Sequence, residues 1–185
     1  MSETKKGFSA RDITLTAMFT VVITICSWIS VPTGIPFTLQ TFAVFASLLI
    51  LGGQRGTMSV LVYILLAAAG VPVLSGFTGG IGVILGSTGG YIMGFLIIGC
   101  LYLAAETALA EKFNTAAKTA VLTVGMIICY IFGTAWFMFV YTKSSGAVTL
   151  SEALGWCVIP FLIPDLIKLA AAEMLSYKLK KYVRV

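Results

Sequence analysis

Residues 120–141 carry no charged side chain, and neither do residues 13–31. Apolar runs of that length match the hydrocarbon core of a bilayer, which is about 30 Å thick and takes roughly 20 helical residues to cross. Inside lipid the backbone must satisfy its own hydrogen bonds, so such runs fold as helices. Composition extends the argument to the whole chain. Of its 185 residues 59% are hydrophobic and 10% charged, with a mean hydropathy of +1.04. Soluble domains carry roughly 25% charged residues, and here too few polar groups remain to cover a water-facing surface. The expectation is an all-α integral membrane protein, a single transmembrane domain over residues 1–185.

The pattern predicts six transmembrane helices, over residues 10–31, 40–51, 57–73, 91–109, 120–141 and 152–177. The second is short, and we expect it to borrow from its flanks or to lie partly in the interface. Gly52, Gly53, Gln54, Arg55 and Gly56 read as a tight turn. Orientation follows from the basic residues. With both termini on one side, that side holds Lys5, Lys6, Arg11, Arg55, Lys112, Lys118, Lys178, Lys180, Lys181 and Arg184, and the other only Lys143: ten against one. The basic side faces the cytoplasm, which predicts an even span count, cytoplasmic termini and a multi-pass protein of the cell membrane. The first apolar run is longer than the roughly 7–15-residue core of a signal peptide and lacks a small-residue cleavage site. It reads as a retained span.

The two outer loops, 32–41 and 75–90, are uncharged and rich in Gly, Pro, Thr and Ser. Irregular backbone near a membrane is tolerated where it lines a protein cavity. Two such loops on one face point to a lidded pocket open to the exterior, with plain surface connectors as the alternative. The last span holds Asp165 and Lys168, three residues apart and therefore on one helix face. Each costs roughly 2.5–3.5 kcal/mol alone at the bilayer centre, so each needs a partner: the other, a ligand, or both. Pro160 and Pro164 remove backbone donors just ahead of the pair, which predicts a kinked or loosened helix there. A buried ammonium suits a carboxylate ligand; a structural ion pair locking the helix to a neighbour is the alternative. Glu106 and Glu173 fall near cytoplasmic helix ends and read as interfacial.

Other chemistries find little support. The chain has no histidine, so no Ser-His nucleophile exists, and a Ser87–Lys168 pair is the remaining enzymatic arrangement. Thr88-Gly89-Gly90-Tyr91 and Thr123-Val124-Gly125 match a potassium filter only in fragments. Cys26, Cys100, Cys129 and Cys157 lack metal-ligand spacing and read as small packing residues. The basic residues flank spans rather than forming a nucleic-acid-binding patch.

Three segments carry a resemblance. They are Ile35-Pro36-Phe37-Thr38-Leu39-Gln40-Thr41; Gly70-Val71-Pro72-Val73 with Gly79-Gly80 and Ser87-Thr88-Gly89-Gly90-Tyr91-Ile92-Met93-Gly94-Phe95; and Pro160-Phe161 with Asp165 and Lys168. In these the chain resembles the BioY family, biotin-specific S-components of energy-coupling-factor (ECF) transporters, over nearly its whole length. Ser87 stands where many relatives carry proline. The resemblance implies an S-component fold and capture of biotin from outside, with no enzymatic activity and no cofactor. It also implies a partner module of a transmembrane coupling protein and two ABC ATPases. The chain itself lacks a G-x-x-x-x-G-K-[ST] phosphate loop.

Under that resemblance Asp165 and Lys168 form the polar floor of a biotin site. Gln40 and Thr38 meet amide-like groups, and Tyr91, Phe77 and Phe37 pack on the rings. Gly79, Gly80, Gly89 and Gly90, with Ser87, let backbone approach the ligand. S-components dock through small residues of the first helix, where close approach is possible. Ala10, Thr14 and Ala17 fit that pattern, and Val21 departs from it. The alternative function is an S-component for another small water-soluble vitamin.

Overall fold

The computed structural model describes residues 9–31 and 36–179. Lys5, Lys6, Lys180, Lys181, Arg184 and loop positions 32–35 lie outside the described residues. Helix α1 spans Ala10–Trp28. Ser9 and Asp12 form a capping box at its start, satisfying backbone donors the helix leaves free. Asp12 also pairs with Arg55 at 2.7 Å. The helix ends three residues short of the expected Val31, because Ser30–Val31 (β1) pairs antiparallel with Phe37–Thr38 (β2). The Leu39 N–H meanwhile bonds the carbonyls of Cys26 and Ile29.

Helix α2, Gln40–Leu51, is the centre of the fold: every residue from Ala43 to Leu51 is buried. Its twelve residues reach about 18 Å, less than a bilayer core. The expected turn at 52–56 is mostly helix. Only Gly52, at φ +82°, separates α2 from α3 (Gly53–Ala68), a conformation that glycine adopts without a Cβ clash. Helix α3 ends five residues before the expected Val73, and α6 runs five residues earlier and four later than the expected 120–141. After a 3₁₀ turn at Ser75–Phe77 and a single-turn α4 at Ile81–Ile84, α5 covers Gly89–Leu109 and α6 covers Thr115–Ser145.

The last expected span is two helices. Helix α7 (Leu150–Cys157) stops at Val158, and α8 runs over Ile159–Leu179. Pro160 is the second residue of α8, where a missing N–H costs nothing, while Pro164 lies inside α8 beside Asp165. The break therefore falls earlier than the prolines suggested. Among the described residues four helical stretches are long and apolar enough to cross a membrane: α1, α5 with its following turn, α6, and the α7–α8 stretch.

Helices α5 and α6 pack closely, as do α2 with α8 and α1 with α3; α3 bridges to α5. Small residues permit the α5–α6 contact. A Cβ on Gly94 would lie 2.4 Å from Cys129 Sγ, and one on Gly133 2.3 Å from the Tyr91 ring. At the opposite end of α5, Glu106 accepts the Gly53 N–H at 2.7 Å, an anion at a helix N-terminus. Glu173 accepts from Thr119 Oγ1. Cys26, Cys129 and Cys157 are buried free thiols, and Cys100 faces outward. Gly94→Val should force α5 from α6 and lower stability by about 1–3 kcal/mol, the usual cost of overpacking. A melting curve in detergent checks this, with Gly155→Ala, a position with open space around it, as the near-neutral control.

Candidate functional site

Helix geometry brings Asp165 and Lys168 to one face of α8. Lys168 Nζ lies 2.8 Å from Asp165 Oδ1, and the residues are only 3% and 7% exposed. Burial of that depth demands further partners, and the fold supplies them from three directions. The β1–β2 ribbon turns the Thr38 carbonyl toward Lys168 Nζ at 2.6 Å, and the ammonium sits 4.2 Å from the Phe37 ring centre. Thr41 Oγ1, from the second residue of α2, donates to Asp165 Oδ1 at 2.8 Å. Tyr130 OH, from α6, donates to Asp165 Oδ2 at 2.6 Å. The carboxylate thus receives donors from α2, α6 and α8.

A cavity of about 280 Å³ opens beside this network, near the lower end of the ~300–1,000 Å³ range of small-molecule sites. Its α2–α8 side is polar, with Thr38, Gln40, Thr41, Asp165 and Lys168; its α5–α6 side is mostly apolar, with Ile92, Phe95, Ile98 and Met126. Gln40 is held in place rather than free to swing: its Oε1 accepts from Thr38 Oγ1 at 2.9 Å and its Nε2 donates to Tyr63 OH at 2.6 Å. Tyr91 lines the cavity with its hydroxyl tied to Thr134 at 2.8 Å. An arrangement of one apolar wall, one wall of fixed polar groups and a buried ion pair can bind and orient a small amphipathic ligand.

Five of the expected site residues line the cavity: Thr38, Gln40, Tyr91, Asp165 and Lys168. Phe37 lies behind the ammonium and stacks on the cavity-lining Phe161, with ring centres 5.8 Å apart. Phe77 is 65% exposed and packs on Trp28 at 4.9 Å, next to the lining residues Ser75 and Thr78. The glycines serve chain packing. A Cβ would lie 2.2 Å from the Val71 carbonyl oxygen at Gly79, 1.6 Å from that of Ile84 at Gly89, and 2.4 Å from Trp136 Cβ at Gly90. Gly80, at φ +100°, starts α4, and Ser87 sits in the turn before α5. None of these lines the cavity. Ala10, Thr14 and Ala17 lie exposed on α1, beside the exposed Ile13, Met18 and Val21.

Sequence reasoning missed Thr41, Tyr130 and the apolar wall. Tyr130 left one signal: a tyrosine hydroxyl in the middle of an uncharged span needs a buried partner.

The family model for BioY matches residues 1–185. The chain belongs to the BioY family. It is 37% identical over 172 residues to the biotin transporter BioY of Thermotoga maritima, covering 92% of this chain and 96% of that one. It is 34% identical to the probable biotin transporter BioY of Pyrococcus horikoshii, covering 92% and 97%. Its fold matches the crystal structure of an S-component for biotin from an ECF-type ABC transporter, with TM-score 0.78, 25% identity and coverage of 94% and 92%. This BioY-family chain therefore has the all-α membrane S-component fold.

Removing one member of the buried pair should cost this protein about 3–5 kcal/mol. Lys168→Met is expected to melt well below the wild type. The double variant Asp165→Leu/Lys168→Met should recover much of the loss, because no charge is then left without its partner. Equal melting of the single variant and the wild type would show that the pair carries no structural load.

Proposed function

We propose that this protein captures biotin as the substrate-specific subunit of an ECF-type importer. It has six membrane-spanning segments, α2 and α3 being the short ones, and its termini are cytoplasmic. It is not an enzyme. ATP hydrolysis belongs to two ABC ATPases that act on it through a transmembrane coupling protein. The observation that carries the reading is the buried Asp165–Lys168 pair on the wall of a 280 Å³ cavity in a chain of the BioY family. Biotin has polar ureido and carboxylate ends separated by apolar carbon and sulfur, which suits one polar and one apolar wall. Lys168 is the group we assign to an acceptor on biotin, with Asp165, Thr38, Gln40 and Tyr91 as neighbours. Phe37 acts from behind the ammonium. Phe77, Gly79, Gly80, Ser87, Gly89 and Gly90 shape the surrounding backbone.

The coupling protein docks, in this reading, on the outward face of α1 at Ala10, Thr14 and Ala17. The exposure of all three supports it, since small exposed residues let another helix approach closely.

Titration of the purified protein by calorimetry should give one-to-one biotin binding and none of riboflavin or thiamine. Loss of a buried charge partner costs about 2–5 kcal/mol in binding, so Lys168→Met should weaken biotin at least about 30-fold. Binding of another vitamin in place of biotin would overturn the assignment. Ala17→Trp should retain biotin affinity yet reduce uptake in vesicles holding the complete transporter, and unchanged uptake would remove α1 from the docking surface.

A further inference from the structure

Two of the walls that enclose the cavity are joined in an unusual way. Helix α8 packs along α2, and α6 packs along α5, but among the described residues the α6 and α8 backbones do not pack closely on each other. Helix α7 touches both and lies in the chain between them. Across the boundary run two side-chain hydrogen bonds, each from a hydroxyl on α6 to a carboxylate on α8. One is Thr119 to Glu173. The other is Tyr130 to Asp165, at 2.6 Å. They lie about three helical turns apart, or about 16 Å along α6.

The three donors to Asp165 are not equivalent. Lys168 stands on the same helix, and Thr41 comes from α2, against which α8 already packs. Neither of these two bonds reaches across to α6. Tyr130 alone comes from the opposite wall, and it also lines the cavity. Three donors use three of the roughly four lone-pair directions of a carboxylate, so a ligand donor at Asp165 finds one direction open. The Tyr130 bond decides which one.

We infer that Tyr130 is a positioning residue: it fixes the Asp165 carboxylate toward the ligand and couples occupation of the cavity to closure of the α6–α8 boundary. This rests on the biotin-capture reading above. Occupation bridges the two walls, and with Tyr130 in place both walls hold the same carboxylate. Without it, the ligand binds a wall that α6 no longer follows.

The test pairs affinity with distance. Spin labels are placed at the exposed positions Ile127 on α6 and Ile167 on α8, in a Cys100→Ser background, and the distance distribution is recorded with and without biotin. In the wild type biotin should narrow the distribution. Tyr130→Phe should weaken biotin about tenfold to a hundredfold, as expected for a lost hydrogen bond to a charged group, and abolish the narrowing. Thr41→Val, which removes a donor to the same carboxylate from the already packed side, should weaken biotin less and keep the narrowing. Tyr130→Phe with wild-type affinity overturns the inference, as does Tyr130→Phe with lost affinity and unchanged narrowing. If Tyr130→Phe fails to fold, a fluorinated tyrosine at position 130 keeps the ring and changes the strength of the bond. Unaltered affinity and narrowing with it also overturn the inference. A wild type that does not bind biotin overturns the capture reading and this inference together, whereas a wild type that binds beside an unaffected Tyr130→Phe overturns the inference alone.

Discussion

An ion pair buried inside an apolar chain is the constraint around which this molecule is arranged. Asp165 and Lys168 are nearly inaccessible, and neither charge is stable there without hydrogen-bonding partners. Satisfying them draws in the Thr38 carbonyl, the Thr41 hydroxyl and the Tyr130 hydroxyl. Those three groups come from the ribbon, α2 and α6, so the pair fixes where each meets α8. The cavity is the space left between elements held at those distances. A polar site therefore exists in this apolar chain because the charges must be served whether or not a ligand is present.

The second organising fact is that α2 is short and enclosed. A helix buried from Ala43 to Leu51 has no face for lipid, so its hydrophobicity is spent on neighbours. Its N-terminal residues, Gln40 and Thr41, then open directly on the cavity. Polar groups at the start of a buried central helix are enclosed by protein, which is how a site rich in hydroxyl and amide groups is built at low cost.

Much of this was readable in the residues. Asp165 and Lys168 stood out because charge within a span is costly and needs a reason. Thr38 and Gln40 stood out because they lie in the loop segment that carries the family resemblance. Tyr130 and Thr41 did not, because hydroxyls are tolerated in many spans and gain meaning only from their partners. Gly79, Gly89 and Gly90 could be read in two ways from sequence. Lack of a Cβ serves the approach of a backbone to a ligand and the approach of a chain to itself equally well, and here Val71, Ile84 and Trp136 occupy that space. Helix ends were misjudged where bonds from distant residues decide them. Leu39 stops α1, and the α2–α3 junction narrows to a single residue because Gly52 turns the chain.

The bonds at the far end from the cavity repay attention. There Asp12 pairs with Arg55, and Glu106 holds the Gly53 amide, so α1, α3 and α5 are tied together across the base of the molecule. The cavity end instead is bounded by a two-residue ribbon, a 3₁₀ turn and a single-turn helix. A body clasped at its base by these bonds and rimmed at the cavity end by short elements has the form of a cup rather than a conduit.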